Sequence, residues 1–294
     1  MEGVKVCKNA PSVSYLLFAN DSLILMQVNM TNATSLIQAL DQYCASSGQM
    51  VSEAKCSIFF SPNVDVEVKA EICTELNIMS EALSDKYLDL PSMVGLDRSD
   101  SFVHLLERII KRLEIWSEIF LSLGRKEILL KVVIQSIPVF AMSVFQLPKK
   151  LCKEMTDAIS SFWWGDTAEK NKMHWMAWWR MCIPKKEGGM GFRDLHSFNV
   201  AMLEKQCWRL ITNPNSLCAQ VLRANYYPNG DLMKAGPKKG SSFTWQSIVA
   251  GLATFKRGYI YGELARVTKS IYGMTVGSLE VLLGKLRHQR ARFY

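Results

Sequence analysis

The chain has 294 residues, enough for about two domains of ordinary size. Hydrophobic residues make up 49% and charged residues 21%, a balance that excludes a disordered chain, which lacks the apolar surface to offset ordering entropy. The formal net charge of +8 is unevenly placed: residues 1–100 hold 6 basic and 13 acidic side chains, whereas residues 101–294 hold 29 basic and 14 acidic. That asymmetry points the second part towards a polyanion partner, with a lysine-rich solvated surface as the alternative.

The eight cysteines are scattered without a Cys-x-x-Cys pair, and the four histidines supply no zinc-finger spacing. They read as reduced, mostly buried thiols in an intracellular protein with no zinc site, and leave the compartment open between nucleus and mitochondrion. Residues 1–11 lack the apolar run of a secretory leader. The most membrane-like stretch, 128–147, is broken by Lys131, Gln135 and Pro138, so a buried helix pair is expected there and no membrane partner.

In chain order, two short apolar runs at 13–18 and 23–28 flank Ala19-Asn20-Asp21-Ser22 and predict a β-hairpin with a polar tip. Leu36, Ile37, Leu40, Tyr43 and Cys44 recur at helical spacing, with Thr31 or Asn32 as the start cap and Gly48 as the stop. A strand is expected over 56–60, a helix over 64–78 through Val68, Ile72 and Leu76, and a short strand over 87–90 stopped by Pro91. The texture changes near Asp97. Val103, Leu106, Ile110, Leu113 and Trp116 then form one apolar stripe opposite Arg108, Lys111 and Arg112. Gly124 is expected to break that pattern, a second helix to run from Arg125 to Pro138, and a third to follow Pro148 with a stripe through Met155, Ile159 and Phe162.

Five tryptophans follow closely: Trp163, Trp164, Trp175, Trp178 and Trp179. Beside Lys170, Lys172 and Arg180 they could stack bases while the cations meet phosphates, or they could form a small aromatic core. The glycine-bearing turn at 185–191 lacks the strand-to-helix context and Gly-Lys-Ser/Thr ending of a phosphate loop, which argues against a nucleotide site. Asp194 or Ser197 can cap a helix through Val200, Leu203, Cys207 and Leu210. Residues 213–244 hold Pro214, Pro228, Gly230, Gly236, Pro237 and Gly240 and read as loop-rich. The pattern loosens after Tyr259, and 285–292 is a basic tail.

The tetrad Phe18-Ala19-Asn20-Asp21 carries the chemistry. Polymerase palms place carboxylates at such a tip because two Mg²⁺ ions must be held about 3.5–4 Å apart beside the primer end. Residues 3–25 resemble the stretch that enters the catalytic hairpin of plant LINE-type, non-LTR retrotransposon reverse transcriptases, which read Phe-Ala-Asp-Asp there. Ser47-Gly48-Gln49-Met50-Val51-Ser52 leading to Lys55 is similar to the next polymerase motif, and Tyr87-Leu88-Asp89-Leu90-Pro91 resembles the Tyr-Leu-Gly-Leu-Pro that precedes the thumb. The resemblance continues in order through Arg112-Leu113 with Trp116, Leu121 to Arg125, Ile137-Pro138, Leu147-Pro148-Lys149, Phe162 to Gly165, Trp175 and Glu187 to Leu195, reaching about Lys256. From Lys131 onward the chain is also similar to short uncharacterised proteins of plant mitochondrial genomes.

The resemblance implies an α+β fold: a small palm remnant of hairpin and helices over 1–97, a helical thumb-like region over 98–164, a tryptophan-rich connection over 165–258 and a divergent basic tail over 259–294. It places the family's metal-binding carboxylates at Asn20 and Asp21, and a lysine that would protonate pyrophosphate at Lys55. Asn20 is a neutral amide where the family has aspartate. The fingers and first catalytic aspartate lie upstream of the hairpin in the family and are expected to be missing here. The resulting expectation is a truncated RNA-directed DNA polymerase without activity, holding no Mg²⁺ and no small-molecule cofactor. The alternatives are a sequence-independent nucleic-acid-binding module, or a relic with no selected role. Arg108, Lys111, Arg112, Arg125, Lys126, Lys149 and Lys150 are the candidate phosphate contacts.

Overall fold

A computed structural model describes residues 2–19, 21–52, 55–78, 86–95, 98–117, 121–166 and 172–272, with side chains to 258. The architecture is α+β: two small antiparallel strand pairs precede a long run of helices. Contacts divide it into two units, Met1–Arg108 with Thr212–Leu232, and Ile109–Ile211 with Met233–Tyr294.

In the first unit β1 (Tyr15–Phe18) pairs with β2 (Asp21–Ile24) in the register Tyr15↔Ile24 to Phe18↔Asp21. The hairpin is as expected, but its connection is shorter: Asp21 opens the second strand instead of sitting in the loop. Ala19 has φ 49°, the left-handed backbone that two-residue hairpin loops demand. Helix α1 (Met30–Ser47) is capped two to three residues earlier than the sequence suggested, by Asn29, whose side chain accepts from the Asn32 N–H at 2.7 Å. Asn32 is instead buried, donating to the Gln27 carbonyl at 3.0 Å. Gly48 ends the helix at φ 70° as expected. Helix α2 (Val66–Leu76) buries Ile72 against Ala33 and Phe60, with Val68 and Leu76 packed around them.

Residues 56–60 form no strand. They run beside this small core without a ladder partner among the described residues; Phe60 is buried in it, with the Lys69 ammonium 5.9 Å from its ring centre. The expected strand over 87–90 is a second hairpin: β3 (Lys86–Tyr87) pairs with β4 (Leu90–Pro91) around Leu88 and Asp89, both at positive φ (52° and 63°). The loop-rich reading of 213–244 also needs correction. Helix α9 (Leu217–Tyr226) lies there, its N-cap Ser216 accepting from the Ala219 N–H at 3.4 Å.

Helix α3 (Val103–Ser117) begins after a 3-10 turn at Asp100–Phe102. Its buried stripe is Phe102, Leu105, Ile109 and Leu113, one position earlier than expected, and Ile110 faces solvent. Asp97, where the texture changes, lies outside the described residues.

In the second unit α4 (Leu123–Val132) starts at the N-cap Ser122, so Gly124 sits in its first turn and breaks nothing. A 3-10 turn (Ile134–Ser136) and α5 (Val139–Val144) follow, dividing the apolar stretch 128–147 into short pieces. No described helix is long and apolar enough to cross a membrane. Helix α6 (Lys149–Trp164) buries Leu151, Met155, Ile159 and Phe162 on one face and ends at Gly165, φ 76°. The four-residue α7 (Trp178–Met181) precedes α8 (Leu195–Thr212), capped by Asp194 through the Ser197 N–H at 2.7 Å. Helix α10 (Phe243–Tyr272) is the longest and carries fully buried Trp245. It crosses α8 closely: a Cβ on Gly251 would meet the Leu203 Cβ at 2.7 Å. Of the eight cysteines only Cys152 and Cys207 are buried, fewer than expected, and burial pushes the Cys207 thiol up to about 12.

Candidate nucleic-acid interface

Among the described residues the hairpin tip gathers no group of potential metal ligands. Asp21 is exposed and stands across from exposed Phe18, while Asn20 lies outside the described residues. Among the described residues no three carboxylate, imidazole or thiol side chains converge. The exposed Lys55 caps a short turn with its N–H donating to the Ser52 carbonyl, and its side chain faces solvent. Asp89 is paired: the Arg108 guanidinium donates to it at 2.9 Å, with both side chains more than half exposed.

The candidate phosphate contacts divide into two sets. Lys111 and Arg112 on α3, Arg125 on α4, and Lys149 and Lys150 at the start of α6 are exposed. Of these, Lys150 approaches Glu154 only at 3.9 Å. Lys149 and Lys150 occupy the first turn of α6, which holds no acidic residue, so two cations sit at the positive end of a helix. That placement is unfavourable by about 0.3–1 kcal/mol per charge without an anion nearby.

Lys126 differs. Its ammonium donates to the Phe162 carbonyl at 3.1 Å and lies 4.9 Å from the Phe162 ring centre, tying α4 to the carboxyl end of α6. Burial, then the neighbouring Lys172 charge, holds its pKa below the usual lysine range. Arg108 is likewise engaged, by Asp89.

The tryptophan segment does not form one core. Trp163 is buried and meets Phe192 edge-on at 5.3 Å, Trp178 packs on the same ring at 4.9 Å, and Trp164 stacks on His174 at 5.7 Å. Trp175 and Trp179 are 81% and 63% exposed. Lys170 lies outside the described residues. The glycine-bearing motif after them has a structural explanation. The Met190 and Phe192 N–H groups both donate to the Met181 carbonyl, and the Gly191 N–H donates to the Ile183 carbonyl. Gly189 lies so close to that backbone that a Cβ would meet the Ile183 oxygen. Only glycine allows the approach.

Three buried polar residues carry packing roles that the sequence did not show, although Gln135 was already visible as a break in the apolar stretch 128–147. Asn199 accepts from the Leu147 N–H and donates to the Met142 and Phe145 carbonyls, each at 2.8 Å. Ser247 accepts from the Gln146 N–H at 2.9 Å. Gln135 exchanges hydrogen bonds with the Arg193 backbone at 3.3 Å each. Their signal was a polar residue on an apolar stripe: Asn199 falls four before Leu203 on the buried face of α8.

No family model matches the chain. An uncharacterised mitochondrial protein of Arabidopsis thaliana is 41% identical over 126 residues, 42% of this chain and 82% of that protein. The chain belongs to that protein's family. A second relative from Arabidopsis thaliana, which carries the provisional name ribonuclease H protein, is 40% identical over 166 residues, 55% of this chain. The match spans 27% of that relative, so the chain corresponds to about a quarter of its length.

Proposed function

We propose that the chain derives from the reverse transcriptase of a plant non-LTR retrotransposon and keeps a grip on the nucleic-acid backbone without copying chemistry. In this reading residues 1–97 are the end of a palm, 98–164 a thumb, 165–258 the connection and 259–294 a basic tail. The observation that carries the grip is the set of exposed cations on the helices α3, α4 and α6, Lys111, Arg112, Arg125, Lys149 and Lys150. Phosphate oxygens at the start of α6 would relieve the two lysines gathered at its positive end. Such contacts read charge and spacing, not base identity, so binding is sequence-independent. A relative named for ribonuclease H is consistent with an ancestor that handled nucleic acid.

The residues present do not fit a pair of Mg²⁺ ions. Two divalent ions need several hard, negative oxygens in one place. Position 20 supplies an uncharged amide, and Asp21 stands on an open hairpin without a second acidic group gathered beside it among the described residues. No polymerase step follows from this arrangement. Incubating the pure protein with primer–template, nucleotides and Mg²⁺ or Mn²⁺ tests the point. No extended primer is expected, and template-dependent product overturns it. The grip is tested by Lys111→Glu with Arg112→Glu, expected to lower duplex affinity at low salt by about tenfold or more. Unchanged affinity in that variant removes the grip from α3.

One observation favours a second reading, a relic product with no selected role. Tyr15, Leu17 and Phe18 on β1 are each at least 60% exposed, an apolar strand surface that promotes association. A cooperative melt that includes residues 1–97 counts against it.

A further inference from the structure

We propose that segment 172–180 is a site for unpaired, single-stranded nucleic acid, with Trp175 and Trp179 as stacking platforms and Lys172 and Arg180 as phosphate contacts. Indoles in this unit differ in exposure: Trp245 is fully buried, Trp163 nearly so, and Trp208, tilted against Phe255, is 54% exposed. Trp175 and Trp179 are more exposed than any of these, at 81% and 63%. Large exposed apolar side chains in a cluster mark a contact site, since folding alone favours hiding them.

Their backbone is held from behind. Trp178 packs on Phe192, and Met181 is buried with its carbonyl accepting from the Met190 and Phe192 N–H groups. The Arg180 and Met181 N–H groups donate to the Ala177 carbonyl. The Asp166 carboxylate accepts from the Lys172 N–H at 2.8 Å and meets His174 Nε2 at 2.9 Å. The two exposed rings are therefore displayed on a fixed turn, which reduces the ordering entropy a ligand must offset.

Charge selects the occupant. The Arg180 guanidinium lies 5.3 Å from the centre of the Trp179 ring, Lys172 opens the segment, and Lys186 follows it in sequence, while the neighbouring Lys185 is paired with Glu127. Flat π faces interleaved with cations suit bases joined by phosphates, and any base offers such a face. An apolar protein partner would gain nothing from that density of positive charge. The inference goes beyond backbone gripping, because the site is separate from the helix cations and its ligand must have unstacked bases.

The test compares a labelled short oligothymidylate, an oligouridylate and a duplex of equal length, by fluorescence anisotropy on the full chain. Trp175→Ala with Trp179→Ala is expected to weaken single-strand binding by about tenfold or more per ring, leaving duplex affinity unchanged. Replacing both rings by Phe is expected to restore most of the loss, which a packing role would not require of an exposed ring. Binding of either oligonucleotide supports the platform. Binding of neither overturns it, as does an affinity indifferent to the alanine pair or a phenylalanine pair no better than alanine. Duplex binding without single-strand binding overturns this inference alone. Single-strand binding without salt-dependent duplex binding overturns only the backbone-gripping proposal.

Discussion

Replacing Asn199 tests the packing logic of the helical unit most sharply. Its amide is fully buried and joins three backbone groups around the turn between α5 and α6: the Leu147 N–H and the Met142 and Phe145 carbonyls, each at 2.8 Å. Asn199→Leu keeps the branching and the number of side-chain heavy atoms, though its methyl groups are bulkier, and removes all three hydrogen bonds. A buried N–H left without an acceptor costs about 1–3 kcal/mol, and each carbonyl that loses its donor about 1 kcal/mol more. The expected loss is about 3–5 kcal/mol, a large fraction of the ~5–15 kcal/mol that holds a typical domain together. In a unit of this size that corresponds to a fall in Tm on the order of 10 °C. Urea unfolding followed by tryptophan fluorescence reads it, since Trp245 and Trp163 are buried in the same unit. Asn199→Ala separates the causes: if hydrogen bonds dominate, leucine is about as damaging as alanine; if packing dominates, leucine rescues. A loss under about 1 kcal/mol for the leucine variant refutes the reasoning.

The hairpin of β3 and β4 places Leu88 and Asp89 at positive φ, where Asn-Gly is the favoured pair. Leu88→Asn with Asp89→Gly is expected to stabilise the chain by about 1–2 kcal/mol, less up to ~1 kcal/mol for the exposed Arg108–Asp89 pair, and a lower melting temperature contradicts the turn. Lys126→Ala is expected to cost about 1–2 kcal/mol of stability with little effect on duplex binding, because its ammonium serves α6. Arg125→Ala should do the reverse, reducing the salt dependence of duplex binding by about one phosphate contact. Equal effects of the two in both assays contradict the division. Glu127 accepts from Lys131 and Lys185, each at 2.7 Å, and these hydrogen bonds hold its pKa below the usual glutamate range. A depressed carboxylate contributes stability above its unfolded pKa and loses it as pH falls through the folded value. Stability is therefore expected to fall on acidification below the usual glutamate range, and Glu127→Gln to flatten that fall; an identical acid profile in the variant contradicts the role.

The legibility of the sequence varied with the kind of interaction that decides each element. The first hairpin and α6 were readable because one apolar run or stripe admits one arrangement. Helix α3 carries two adjacent stripes that share Leu113, and 3.6-residue periodicity alone could not choose Phe102, Leu105 and Ile109 over Val103, Leu106 and Ile110. The strand expected at 56–60 needed a ladder partner, a non-local requirement invisible in its own residues. Helix α9 was hidden because flanking prolines and glycines outweighed a ten-residue segment capped by Ser216. At the candidate interface, the sequence named the cations but could not show that Lys126 turns inward while Arg125 stays exposed. Nor could it separate Trp163, packed on Phe192, from Trp175 and Trp179, which share its neighbourhood in sequence and face water.

The most direct test of the backbone grip is a duplex-binding titration of the intact chain at several salt concentrations. The account expects log K to fall linearly with log salt, with a slope of about −3.6 to −4.5 if four or five of the exposed helix cations meet phosphates, and no preference among duplex sequences. An affinity that does not change with salt, or no duplex binding at low salt, contradicts it.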